Sequence, residues 1–163
     1  MKTKINLEDI LTKLGSNEAR AIAISKLVEK DYLPISQIER AVEVYEKAGR
    51  FVHAADTALK AGMNERAVEL YQRAVEVYEK AGRFGDAADT ALKAGMNEIA
   101  VDDYEKAGRF GDAADTALKA GMNERAVEVY EKAGWFKDAA DTALKAGMNE
   151  RAEGLRTLAD LIK

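Results

Sequence analysis

The chain has 163 residues, with 25 lysines and arginines against 29 aspartates and glutamates for a net charge of −4; the signs are interleaved rather than blocked, which argues against a nucleic-acid surface. It is 47% hydrophobic with one proline and no cysteine, so helix throughout is expected, without disulfides or thiolate metal sites. Residues 1–6 are polar and no apolar stretch approaches the roughly 20 residues of a membrane span, so no membrane insertion is expected and a soluble, cytoplasmic protein is the default.

Residues 1–35 read as an N-terminal helical cap: a short helix over 7–14, a break at Gly15, and a helix over 17–30 opened by Ser16. Leu33-Pro34 then marks a turn. Ser36 and Glu39 have the spacing of a capping box, and the helix they open already carries the sequence ERAVEVYEKAG at 39–49.

From Tyr45 the chain repeats nearly verbatim, with copies beginning at Tyr45, Tyr78, Tyr104 and Tyr130. The last two intervals are 26 residues and the first is 33; copies 78–103 and 104–129 match at 23 of 26 positions. The extra segment, YQRAVEV at 71–77, repeats the AVEL/AVEV motif before it. Seven residues are nearly two helical turns, so the insertion predicts one long helix over 64–81 whose apolar stripe drifts by only about 20°.

Each unit holds two short helices, because AGMNERAVEVYEK and AGRFGDAADTALK share Ala-Gly at the start, an alanine at the seventh place and a final lysine. Ala126, Val127, Val129, Tyr130 and Ala133 follow the spacing of one buried helical face. Glu128 and Lys132, like Asp115 and Lys119, stand at i, i+4 with the acid first. Each helix closes on Lys-Ala-Gly, where glycine can adopt the left-handed conformation and lysine meets the negative dipole end. The next helix starts near Asn123 or Asp112, and so short a connection forces neighbours antiparallel. Helices this short are unstable alone and must be held by packing. Ala113, Ala114, Ala117 and Ala120 are expected to let backbones approach closely, with Phe110, Leu118, Met122, Val127 and Tyr130 filling the remaining space.

The repeat ends at 152. It loses register at Glu153 and Gly154, and Leu155, Leu158, Leu161 and Ile162 mark a C-terminal capping helix over 153–163. The whole, 1–163, reads as a single all-α domain of about 11 helices, an α-solenoid of short antiparallel hairpins, in which each unit buries its apolar face against its neighbours.

Gly49-Arg50-Phe51 followed by Ala54, repeated at Gly82/Phe84/Ala87, Gly108/Phe110/Ala113 and Gly134/Phe136/Ala139, resembles the G-x-[YF]-x-x-A junction of tetratricopeptide repeats. AVEVYEKAGRF also resembles the hairpin array of soluble NSF attachment proteins. The likeness spans residues 36–152, with a unit of 26 rather than 34 residues and no proline ending it. It implies a right-handed superhelix that binds other proteins through its faces, with the glycines as turn residues and the phenylalanines and alanines as packing residues.

Departures between copies mark the candidate contact residues. Trp135 stands where other copies have arginine, and an exposed tryptophan is a candidate hot spot; the plainer alternative is that it packs on the C-terminal cap. Lys137 beside it is included. Ile99 replaces an arginine, and Asp103 replaces a valine and would direct a carboxylate toward the core. His53, the single histidine, takes the place of Asp86, Asp112 and Asp138 and reads as a surface residue near a helix start. The acidic residues recur identically in each unit, as on a solvated face. Gly82 and Gly85 lack the strand and lysine of a phosphate-binding loop.

No catalytic, cofactor-binding or metal-binding residues are assigned, and no small-molecule substrate is expected. The leading expectation is a protein-binding scaffold or adaptor. The alternative is a self-assembling structural protein, natural or engineered, whose copies stack or exchange helices. An enzyme built on the repeated Asp, Glu, Tyr and Lys groups is the weakest reading.

Overall fold

The computed structural model describes residues 5–162; residues 1–4 of the expected N-terminal cap and residue 163 of the expected C-terminal one lie outside the described residues. Among the described residues there are eleven α-helices and no strand. They are α1 (Leu7–Leu11), α2 (Asn17–Glu29), α3 (Ile38–Lys47), α4 (Phe51–Lys60), α5 (Asn64–Lys80), α6 (Phe84–Lys93), α7 (Asn97–Lys106), α8 (Phe110–Lys119), α9 (Asn123–Lys132), α10 (Phe136–Lys145) and α11 (Asn149–Leu161). The architecture is all-α, an array of helical hairpins in chain order.

The connections between repeat helices are as short as a helix end permits. At the end of α7, Arg109 N–H donates to Tyr104 C=O at 2.8 Å and Gly108 N–H to Glu105 C=O at 2.9 Å, while Gly108 sits at φ +72°. These are the two bonds of a Schellman cap, which needs a left-handed residue that glycine supplies without steric cost. Arg109 is also the N-cap of α8, and its C=O accepts from Ala113 N–H at 3.0 Å. One residue thus closes one helix and opens the next. Met122 does the same between α8 and α9, its N–H donating to Ala117 C=O at 2.8 Å.

The expected start near Asn123 holds, and α8 starts two residues before Asp112. Asn123 is the first helical residue and Asp112 lies in a first turn; the N-caps are Met122 and Arg109, neither of which makes a side-chain cap bond. The capping box expected at Ser36 and Glu39 is also absent. A short 3₁₀ turn, Ile35–Gln37, follows Pro34, and Gln37 is the N-cap of α3 without a side-chain bond. Ser16 does cap α2, its hydroxyl accepting from Ala19 N–H at 3.1 Å.

The chain divides into two compact units, residues 1–76 and 77–163. The division falls inside α5, within the inserted segment. In α5 Ala67, Leu70, Tyr71, Ala74 and Val75 are buried, the single stripe expected from an insertion of almost two whole turns.

In the first unit α2 packs on α3 and α3 on α4. Leu7 and Leu11 bury α1, whose Leu7 N–H donates to Gln37 Oε1 at 2.9 Å. In the second unit each helix from α6 to α11 packs on the next in sequence. Ala113, Ala114 and Ala117 are fully buried, as are Val127 and Val129. Two expected packing residues are not: Ala120 is the exposed C-cap of α8 and Leu118 is 37% exposed on its flank. The narrow alanine stripe turns away from both, and Thr116 completes it instead. Its counterpart Thr90 satisfies its hydroxyl by donating to Asp86 C=O at 2.7 Å, the way a threonine is buried in a helix without an orphaned polar group.

Candidate protein-binding face

Consecutive helices, α4 with α5 and α6 with α7, are tied together by recurring polar pairs. Tyr71 donates its hydroxyl to Asp56 Oδ1 and Tyr104 to Asp89 Oδ1, both at 2.5 Å. Burial and the neighbouring carboxylate push the Tyr71 hydroxyl upward and the Tyr104 hydroxyl up to about 12. In α11 arginine takes the tyrosine's place, and Arg156 reaches Asp141 at 3.4 Å.

A second set of pairs joins alternate helices, α3 to α5, α7 to α9 and α9 to α11. Arg66 meets Glu46 at 2.5 Å, Arg125 meets Glu105 at 3.0 Å and Arg151 meets Glu131 at 3.0 Å. Lys132 adds a contact to Glu105 at 2.6 Å. Exposed pairs of this kind are worth ~0–1 kcal/mol each; their chief effect here is to fix where charge is already spent.

Ile99 breaks the set. It occupies the arginine position in α7, is 41% exposed, and leaves Glu79 with Lys106 at 3.4 Å. Asp103, one turn on, is fully buried as the sequence implies. Its Oδ1 accepts from Lys106 Nζ at 2.8 Å, a bond that raises the lysine's pKa, and its Oδ2 has no hydrogen-bond partner. A residue with no free edge and a fixed internal partner is a packing departure, not a contact site.

Trp135 packs toward α8. It is 44% exposed, lies against Tyr130 with ring centroids 6.1 Å apart, and crosses Gly111 of α8, whose added Cβ would stand 3.8 Å from the indole. Arg109 behaves alike, over Tyr104 and across Gly85. Lys137 is exposed in the position of those glycines. The residue that would cross it is Leu161, which is 79% exposed, so a long side chain fits there. His53 is exposed and its ring meets Tyr45 at 5.6 Å.

The four candidate residues are therefore not one site. Trp135 and Lys137 lie where α10 begins, whereas Ile99 lies where α7 begins, at the opposite end of the antiparallel hairpins; Asp103 is inside.

What the sequence did not single out is the hollow surface beside Ile99. Met96, Ile99, Ala120 and Met122 line a depression of about 460 Å³, and Met122, Ala146 and Met148 continue it into one of about 710 Å³. Glu98, Asp102, Glu124 and Glu128 edge the larger hollow, with Arg125 the one cation among its lining residues. The 26-residue recurrence of methionine could have pointed here, since methionine is the adaptable apolar residue of binding surfaces.

Among the described residues no group of His, Cys, Asp and Glu side chains is placed to hold a metal ion, and no helix is long and apolar enough to cross a membrane. Compared with models of known protein families and with curated proteins, the sequence matches none.

Proposed function

We propose that the chain is a protein-interaction scaffold, a tetratricopeptide-like array of short helical hairpins that binds a segment of another protein, and not an enzyme. The observation that carries this reading is the pair of joined hollows along the starts of α7, α9 and α11. They present apolar side chains and carboxylates from successive hairpins on one edge. Repeat arrays favour such extended surfaces, because each unit contributes the same few positions.

A second reading, association between copies, draws on Leu161 and Ile162, which are 79% and 59% exposed. It is opposed by Glu153, an exposed carboxylate where α9 has the fully buried Val127. A further hairpin stacked there would have to desolvate that charge.

Light scattering coupled to size exclusion over a wide concentration range separates the two. A constant mass near 17.8 kDa, with saturable retention of a protein from cell lysate by the immobilised chain, is expected. A mass that climbs with concentration would favour association between copies, and a monomer that retains nothing would count against the scaffold.

A further inference from the structure

We infer that the methionine-lined hollows of the second unit take an extended basic segment carrying two apolar side chains on one side of the segment; the inference rests on the scaffold reading and specifies its partner.

Charge selects the occupant. Four carboxylates edge the larger hollow and Arg125 returns one positive charge. Arg151 approaches Glu124 at 3.8 Å; the starts of α7, α9 and α11 contribute about +0.5 each and the ends of α8 and α10, which reach the hollow at Gly121 and Ala146, about −0.5 each, so that a surplus of about −1.5 is left even with Arg151 counted. Arg125 is itself committed, meeting Asp102 at 2.5 Å and Glu105 at 3.0 Å. Lys119 and Lys145 end helices of the same hairpins but do not line the hollows. An acidic segment would meet repulsion on this edge, and a lysine- or arginine-bearing one would be steered to it.

Spacing selects the pattern. One hollow lies between Met96 and Met122 and the other between Met122 and Met148, so they are one hairpin apart. An extended chain directs every second side chain to the same side, so two apolar residues an even number of positions apart can enter the two hollows together.

Ile99 opens the smaller hollow. Arginine at the equivalent position in α9 and α11 reaches back across its helix pair to Glu105 and Glu131. Ile99 cannot, and instead leaves an apolar wall.

The test is selection of a displayed library of random peptides against the full chain, followed by titration of the selected peptides on the wild type and on Ile99→Arg at low and high salt. Ile99→Arg restores the residue that other units carry, so it keeps the fold, and circular dichroism checks this. Selected peptides rich in lysine and arginine, with two apolar residues an even number of positions apart, weakened about tenfold or more by Ile99→Arg and by salt, are expected. Peptides that are acidic or uncharged, that lack the apolar pair, or that ignore Ile99→Arg would overturn the inference and leave the scaffold standing. No selected peptide at all would overturn both.

Discussion

Trp135 rests on Tyr130 in the same place where Arg109 rests on Tyr104, the guanidinium carbon 4.5 Å from the ring centroid. In both cases the upper residue is the second past the helix cap and the lower lies in the last turn, the contact that accompanies a Schellman cap. The repeat needs a flat group over the tyrosine, and arginine or tryptophan supplies it. Trp135→Arg is therefore expected to change stability by less than about 0.5 kcal/mol, whereas Trp135→Ala should lose ~1 kcal/mol of stacking. Urea denaturation of the three proteins checks this; an alanine variant as stable as wild type would show that the stack contributes nothing.

Two glycines three residues apart have opposite requirements. Gly108 stands at φ +72°, and Gly111 is inside α8 with its nearest prospective Cβ neighbour at an ordinary 3.8 Å. Gly108→Ala should destabilise by about 1–2 kcal/mol, because an L side chain there meets the following carbonyl. Gly111→Ala should stabilise by about 0.5–1 kcal/mol through helix propensity alone. Thermal melts of the pair read the two signs directly, and a loss at Gly111 would mean that Trp135 cannot accommodate even a methyl group.

Asp103 is the position where one copy departs from the packing of the others. Val129 fills the equivalent place fully buried, while Asp103 keeps one oxygen on Lys106 and the other unpaired. Asp103→Val is expected to raise stability by about 1–3 kcal/mol, because it removes a buried carboxylate oxygen that has no hydrogen-bond partner and leaves Lys106, half exposed, in contact with water. Lys106 retains Glu79 as a partner. A destabilised valine variant would mean that the Asp103–Lys106 pair contributes more than its desolvation costs.

The fold was legible in the sequence because repetition averages away local ambiguity. Every unit votes for the same buried face, so Ala126, Val127 and Val129 were placed by spacing alone. The long α5 followed from counting seven inserted residues as almost two turns. The start near Asn123 was legible, whereas α8 begins two residues before Asp112 for a local reason: the connections are so compressed that Met122 and Arg109 serve as closing and opening residues at once, and the polar residues that usually cap lie one to three places inside. The candidate site was the least legible part. Ile99 and Trp135 announced themselves as departures, but whether a departure faces an open hollow or a neighbouring ring depends on which hairpin end it occupies. The methionines, identical in every copy, did not stand out at all.

The tyrosine–aspartate pairs give the chain a predictable alkaline response. Burial first, and then the bond to Asp89, push the Tyr104 hydroxyl up to about 12 from its ordinary value near 10; Asp112 acts the same way and Arg109 opposes it. Between those values the unfolded chain has released the proton and the folded chain still holds it, so the unfolded state binds fewer protons and stability must fall as pH rises. The contribution is complete below pH 10 and is lost as pH passes through about 12. Tyr45, Tyr71 and Tyr130 are shifted in the same direction by burial, so the wild type should show a steep loss of melting temperature across this window. Tyr104→Phe removes one titrating group and should flatten the slope there, while costing about 1–2 kcal/mol at neutral pH for the lost bond to the carboxylate. Melting temperatures followed together with tyrosinate absorbance check both parts, and an unchanged alkaline slope in Tyr104→Phe would show that its hydroxyl is not held neutral by the fold.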